Sequence, residues 1–395
     1  MRILVHDYSG HPFQAELSRE LARRGHQVTH SFCPGWVSGK GQLSAAPGET
    51  VVFEPIGPTE PIAKDRFVHR VLIEARLGLQ LLGQVRRTRA QQAILSNAQI
   101  PTLVVFALGM MLLRKPWVLW HQDVYAVAVR SFAGDKLGRG FRLVAAAFTI
   151  AERWVSRRAA AVVVIAPSFV AVHEEWGTAD KVTVIPNWAP LDEIVPVERK
   201  NDWGGEHGLH DVATLVYSGT LGLKHDPKLL VGLARAVIDG GTPVQLVVVS
   251  QGPAMDVIRE EAARLDVPAT LLPFQPYERL SEVLGSGDVL VVLLEQQAGA
   301  FSVPSKTLSY LCAGRPILGF MPAENLAASL VERAGGEVLP PRADSLGQAA
   351  SWVRDVLADQ ERRFELGVAA RALAEQEFAL AGCADRFEQI LTETA

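Results

Sequence analysis

Short apolar runs alternate with helical patterns twice along this chain, and a polar stretch rich in Pro and Gly separates the two rounds. That pattern leaves few folds open. In the first round, Ile3–Val5, Gln27–Phe32, Val51–Phe53, Thr102–Phe106, Trp117–Trp120 and Ala161–Ile165 read as buried strands. Phe13, Leu17 and Leu21 mark a helix between the first two, and Gly25 stops it. The alternation breaks near Pro186, and residues 189–211 have no apolar periodicity, as an interdomain linker would. The second round gives strands at Thr214–Tyr217, Gln245–Val249, Thr270–Pro273, Val289–Leu294 and Pro316–Phe320. Strands alternating with helices imply parallel sheets covered on both faces. The pattern thus predicts an α/β chain of two doubly wound domains, one over 1–190 and one over 191–374. Residues Glu361 to Leu391 read as helical, and about 375–395 is expected to return to the first domain.

Composition excludes several classes. At 395 residues with 48% hydrophobic and 21% charged side chains, the chain is globular rather than disordered. Its longest apolar run, Leu103 to Leu113, is eleven residues, and a spanning helix needs about 20. The opening MRILVHDYSG does not read as a secretory signal. Three scattered cysteines fit a reducing compartment, so a cytoplasmic location is expected. Charge is divided unevenly. Residues 1–195 hold 22 basic and 16 acidic side chains, and the remainder 17 and 27. The acidic second half, with no interleaving of basic and aromatic residues, speaks against a nucleic-acid partner.

The sharpest local signal is the segment from Gln297 to Gly314. Pro304 suits a first helical position, and Gly314 followed by Pro316 suits the end. The helix begins just after a strand, so its free N–H groups would face ligand. Lys306 in the first turn is disfavoured by the helix dipole unless an anion binds there; otherwise it is a solvated lysine. Ser218–His225 follows the first strand of the second round, and Gly219 and Gly222 either admit a phosphate or simply form a turn. His121 and Asp123 close the strand at Trp117–Trp120. They either position a reacting hydroxyl or cap the strand end. Gly10 and His11 end the first strand, as ligand loop or as plain turn. No Asp pair of DxD type, HExxH, GxSxG or GxGxxG occurs, so no metal centre, serine hydrolase or nicotinamide site is expected. Residues 64–89 hold seven basic and two acidic side chains, and 133–158 repeat the theme. Basic amphipathic helices suit an anionic membrane surface, or they are core helices with a solvated face.

Together these segments resemble retaining GT-B glycosyltransferases of family 4, closest to the bacterial enzymes of surface-polysaccharide assembly of the colanic-acid and fucosamine-transferase type. The residues that carry the resemblance are Ser9-Gly10-His11-Pro12 with LSRELARRGH, His121-Gln122-Asp123, VTVIPNWAPLDEI with Asn187, Tyr217 to Gly222, and GDVLVVLLE with VPSKTLSYLCAGRPIL. It covers nearly the whole chain. Three positions depart from the family pattern. Phe301 and Ser309 stand where members often carry glutamates, the second of which usually holds the donor ribose. Thr220 stands where an arginine is frequent.

The resemblance implies transfer of a hexose or amino sugar from a nucleotide-diphosphate sugar to the hydroxyl of a lipid-linked saccharide, with retention. It implies two Rossmann-like domains around a cleft, with no metal or other cofactor in the site. His121, Asp123 and Lys306 would be the catalytic groups. Gly219, Thr220, Lys224, Phe274, Val303, Pro304, Ser305 and Ser309 would bind donor, and Gly10 and His11 would face sugar and acceptor. Peripheral contact with the inner face of the plasma membrane would run through 64–89 and 133–158. The missing glutamates leave a second reading, a non-catalytic scaffold, and a GT-B sugar-nucleotide epimerase is a third.

Overall fold

The computed structural model describes residues 1–36, 41–60, 67–122, 124, 139–222, 225–294 and 305–395; of 67, 68, 139–144 and 305 it describes the backbone alone. Met1–Asn187 with Leu380–Ala395 form one compact unit, and Trp188–Ala379 form a second.

The first unit runs β1 (Arg2–Asp7), α1 (Pro12–Arg23), β2 (Gln27–Phe32), β3 (Val52–Pro55), α2 (Phe67–Arg87), β4 (Gln92–Ser96), α3 (Ile100–Leu113), β5 (Trp117–His121), α4 (Arg139–Arg158), β6 (Ala161–Val164), α5 (Val170–Trp176) and β7 (Val182–Val184). Its strands are parallel, in the order β3-β2-β1-β4-β5-β6-β7. The strands are buried on both faces, hence their unbroken apolar runs rather than alternation.

One strand falls elsewhere than the sequence pattern suggests. Thr102–Phe106 lies within helix α3, and the strand before it is Gln92–Ser96. An apolar run of this length overshoots a strand of about five or six residues. Pro101 in the first turn and a left-handed cap at Arg114, φ 51°, complete the helix.

The second unit runs α6 (Asp202–Glu206), β8 (Ala213–Ser218), α7 (Lys228–Asp239), β9 (Val244–Val249), α8 (Ala254–Arg264), β10 (Ala269–Leu272), α9 (Leu280–Gly285), β11 (Val289–Leu293), α10 (Ser305–Cys312), β12 (Ile317–Phe320), α11 (Leu326–Arg333), β13 (Glu337–Leu339), α12 (Leu346–Ala358) and α13 (Gln360–Glu377). The parallel sheet has the order β10-β9-β8-β11-β12-β13. Two apolar clusters cover its faces, one with α10, α11 and α13 and the other with α7, α8 and α12.

Residues 189–211 are not a free linker. Trp188, Ile194 and Trp203 are buried. Arg199 bonds to Asp288 at 2.9 Å and donates to the carbonyls of Leu209 and Val212. Buried tryptophans and a side chain that satisfies loop carbonyls tie this polar stretch to the second unit.

The helical tail is two helices, α13 and then α14 (Leu380–Glu393). α14 returns to the first unit. Arg24 at the end of α1 reaches Asp385 at 2.6 Å and Glu388 at 3.0 Å, Phe387 packs against Trp120 with ring centroids 4.7 Å apart, and Gln92 donates to the Leu391 carbonyl.

The turn after α10 depends on two glycines. Gly314 has φ 61°, and the Gly367 backbone on α13 passes so close that a Cβ there would run into the Gly314 carbonyl. We expect Gly367→Ala to destabilise the second unit by about 1–3 kcal/mol through overpacking. Gly382→Ala on α14 meets open space and should stabilise by up to about 1 kcal/mol through helix propensity. Denaturant unfolding of the two variants checks this; equal effects would contradict the close approach.

Candidate functional site

Both sheets reverse their strand order once, between β1 and β4 in the first unit and between β8 and β11 in the second. At such a point the connections leave in opposite directions, and a crevice opens at the carboxyl ends of the two strands. The chemically notable side chains gather at these two places.

In the second unit β8 ends at Tyr217-Ser218, and the chain turns at Gly219. Tyr310 of α10 fixes that turn: its hydroxyl accepts from the Ser218 N–H at 2.8 Å and lies 3.2 Å from the Ser218 carbonyl. Lys306, one helical turn before Tyr310, is thereby brought against Gly219. A Cβ on Gly219, whose φ is 142°, would lie 3.1 Å from Lys306 Cε. Glycine is needed here for backbone conformation and for space.

Lys306 Nζ donates to the Tyr217 hydroxyl, lies 3.4 Å from the Thr220 carbonyl, and sits 4.2 Å above the Tyr217 ring. The Tyr217 hydroxyl itself donates to the Thr220 carbonyl at 2.9 Å. Among the described residues no carboxylate pairs with Lys306. Burial pushes its ammonium down from 10.5 to about 7, because neutral oxygens and a ring face replace only part of its hydration. Burial raises the Tyr217 and Tyr310 phenols, so both stay protonated. The arrangement is a desolvated cation near the start of a helix, without a counter-charge. An anion there would satisfy both the ammonium and the free helix N–H groups.

Ser305 begins α10, and Ser309 lies one turn further along the helix, half-buried. Phe274, just past β10, is 46% exposed. Lys224, Val303 and Pro304 lie outside the described residues, as does Phe301.

In the first unit the Asp7 carboxylate, at the end of β1, organises the next turn. It accepts from the Ser9 N–H at 3.2 Å, from the His11 N–H, and from Asn97 Nδ2 at 2.8 Å. Burial pushes its pKa upward against these bonds. Asn97 follows β4 with φ 53°, so this one carboxylate ties together the two strand ends at the crossover. Gly10, φ 74°, accepts from the Gly41 N–H at 2.8 Å. His11 caps α1, with its Nδ1 3.4 Å from Asn97 Nδ2.

His121 differs from expectation. Rather than presenting a free ring nitrogen to a ligand, it is 5% exposed with both nitrogens engaged. Nε2 is 2.9 Å from Glu152 Oε1, and Nδ1 is 3.2 Å from His173 Nε2. His173 Nδ1 is in turn 3.0 Å from Thr178 Oγ1. The Thr178 hydroxyl donates to the His173 carbonyl at 3.3 Å, and a buried chain of contacts runs from Thr178 through His173 and His121 to Glu152. Asp123 lies outside the described residues. Gln122 Nε2 donates to Asn187 Oδ1 at 3.2 Å, joining the end of β5 to the last residue before the second unit.

Sequence reasoning missed Asp7, Asn97, Glu152, His173 and Tyr310 as site-forming residues. Tyr310 was within reach, since it falls four residues after Lys306 on the same helix face. His173 carries no comparable signal, because only the fold brings it to His121. Among the described residues no group of three or more His, Cys, Asp or Glu is placed to hold a metal ion.

Residues 11–188 match the family described as glycosyl transferase 4-like domain. No curated protein matches the sequence. Among solved structures, sucrose-phosphate synthase (tll1590) from Thermosynechococcus elongatus is 15% identical, with a TM-score of 0.69 over 100% of this chain and 98% of that one. Alr3699/HepE of Anabaena, solved in complex with UDP, is 14% identical, with a TM-score of 0.70 over the whole of both chains. A glycosyltransferase from Rickettsia africae is 13% identical, with a TM-score of 0.70 over 100% and 98%. At these identities the likeness lies in the fold. The protein has the GT-B architecture of two Rossmann-like domains, and the family match at 11–188 lies almost wholly within its first unit.

His173, with His6 and His30 on the neighbouring strands β1 and β2, is held neutral by burial, each pushed down to about 3. Below pH 6.5 the unfolded chain takes up protons at these rings while the folded chain does not. Stability therefore falls as pH drops from about 6.5, by about 1.4 kcal/mol per pH unit for each ring. Melting curves should show a steep loss on this limb, and His173→Gln should make it shallower. An unchanged limb would contradict the neutral assignment.

Proposed function

We propose that the protein is a retaining glycosyltransferase that moves a hexose or amino sugar from a nucleotide-diphosphate sugar to the hydroxyl of a lipid-linked saccharide in surface-polysaccharide synthesis. One observation carries the reading: Lys306, desolvated and with no carboxylate partner among the described residues, stands at the strand crossover of the second unit, against Gly219 and in the first turn of α10. The glycosyl transferase 4-like match over the first unit supports it. HepE, which shares the fold, is solved with UDP and with UDP-glucose.

In this reading the donor diphosphate lies at Lys306, Gly219, Thr220 and the start of α10 at Ser305; Lys224, Val303 and Pro304, outside the described residues, are donor candidates from the sequence alone. The bond between the anomeric carbon and the β-phosphate oxygen breaks, and negative charge grows on the departing diphosphate. Lys306 and the helix N–H groups meet that charge where it develops, so the stabilisation is greatest in the transition state. A divalent cation is not required for this role. The acceptor hydroxyl attacks from the face the diphosphate leaves, passing its proton to the departing phosphate oxygen, and configuration is retained. Phe274 offers an exposed ring for the base, and Ser309 a hydroxyl on the ribose side. Gly10 and His11 face sugar and acceptor. His121 acts through the end of β5, with Glu152 and His173 holding its ring, and Asp123 follows it.

Calorimetric titration with UDP, GDP, dTDP and ADP tests the site. One of them should bind equally well with and without a chelator, and Lys306→Ala should weaken it at least about tenfold at an unchanged melting temperature. A bound diphosphate raises the Lys306 pKa from about 7. Binding above pH 7 therefore takes up a proton, and affinity falls as pH rises, by up to about tenfold per unit. Lys306→Ala should flatten that dependence. Transfer to lipid-linked acceptor should fall about a hundredfold or more in Lys306→Ala. Near-normal turnover would remove the assignment. Interconversion of free sugar nucleotides without acceptor would mark an epimerase, and folded protein that binds none of the four would mark a scaffold.

A further inference from the structure

Lys306 is not held in place by its own helix alone. α10 packs on the face of the second sheet that carries α11 and α13, whereas Tyr217 belongs to the apolar cluster on the other face, with α7, α8 and α12. The lysine therefore reaches across the carboxyl end of β8 to a side chain rooted on the far side. Tyr217 is fully buried, so it is a fixed post for a flexible four-carbon stem.

The Tyr217 hydroxyl has one proton and donates it to the Thr220 carbonyl at 2.9 Å. Toward Lys306 its oxygen can only accept, and the ammonium donates to it. The same phenol bond closes the chain from 217 to 220, the turn that carries Gly219. The Thr220 carbonyl is 3.4 Å from the ammonium, and the Tyr217 ring centre 4.2 Å. An ammonium has three donors. Among the described residues two oxygens take two of them, and the third is left for a ligand.

A phenol in this place holds the charge without cancelling it. A carboxylate there would pair with the ammonium and compete with an incoming anion. Burial raises the Tyr217 pKa, and that of the neighbouring Tyr310 phenol, so both stay neutral. A lysine free in solvent would have to be ordered when its ligand arrives. One that is already held spares binding that cost.

We infer that Tyr217 is a positioning residue of this site: its hydroxyl fixes the Lys306 ammonium beside Gly219, with one donor open to an anionic ligand. That the ligand is a diphosphate rests on the function proposed above. The holding of the ammonium does not rest on it and is measurable without ligand.

Trace acetylation of the full chain with acetic anhydride, read by mass spectrometry across pH, reports the titration midpoint of Lys306. In the parent it should lie near 7. Tyr217→Phe keeps the ring and the packing and removes only the hydroxyl. The ammonium should then turn to water, and the midpoint should rise toward 10.5 by at least about one pH unit. Whichever of UDP, GDP, dTDP and ADP binds the parent should bind Tyr217→Phe about tenfold more weakly. Added to Lys306→Ala, the same substitution should weaken binding no further. A merely loosened fold would instead weaken binding in both backgrounds and leave the midpoint in place. A parent midpoint near 10.5, a midpoint that Tyr217→Phe leaves unchanged or lowers, or an equal loss of affinity in both backgrounds would overturn the proposal. A raised midpoint in a protein that binds none of the four would keep Tyr217 in its role and remove the donor reading.

Discussion

A single buried hydroxyl sets the geometry of the second unit's site. Tyr310, fully enclosed on α10, binds both the N–H and the carbonyl end of Ser218 at the tip of β8. The helix and the strand belong to different crossovers of the sheet, and this contact locks one against the other. Lys306 is also held there by its own contacts, which are to neutral oxygens and the Tyr217 ring. Removing the anchor would free a long side chain to find water, and its ammonium would lose the desolvation that makes it avid for an anion. The tyrosine therefore acts on the site through the lysine.

The first unit solves the same structural problem with opposite chemistry. At its crossover the anchor is a carboxylate, Asp7, bonded to the turn after β1 and to Asn97 after β4. Asn97 sits in the left-handed region, where Asn is among the few side chains tolerated. Among the described residues, the second unit's crossover thus ends in a cation with no carboxylate partner, and the first unit's in a carboxylate whose hydrogen-bond donors are in place. Of the two, only the second unit's crossover has electrostatic capacity to spare, which is why the proposed phosphate site is placed there.

The two rounds of alternation were legible because parallel strands buried on both faces must be short and apolar, and both sheets follow. The strand and helix signals failed where an apolar run fits either state. QAILS forms β4 although Gln92 and Ser96 interrupt its pattern, while the richer run at 102–106 is helix. Lys306, Gly219 and Gly314 could be picked out because each breaks a local rule: a cation in a first helical turn, and glycines where the backbone must turn left. The His121 network could not. Glu152 and His173 lie 31 and 52 residues from it, and a buried histidine chain leaves no periodicity to read. Residues 189–211 looked like a linker because polar side chains can pack as well as apolar ones when they satisfy buried carbonyls, as Arg199 does.

The run that misled the strand assignment is also informative once its helix is seen. A helix buried on one side needs apolar residues over roughly a third of its circumference, and solvent should select polar residues on the rest. α3 keeps Leu108, Met111 and Leu112 on the outer side, and nothing in the packing of the first unit requires them there. Small exposed apolar residues would need no account. Three large ones stand on a helix without charge, beside two helices whose solvent-facing charges, among the described residues, are all positive. Part of the excess of basic residues in the first half of the chain is thus carried by α2 and α4, on either side of this uncharged helix.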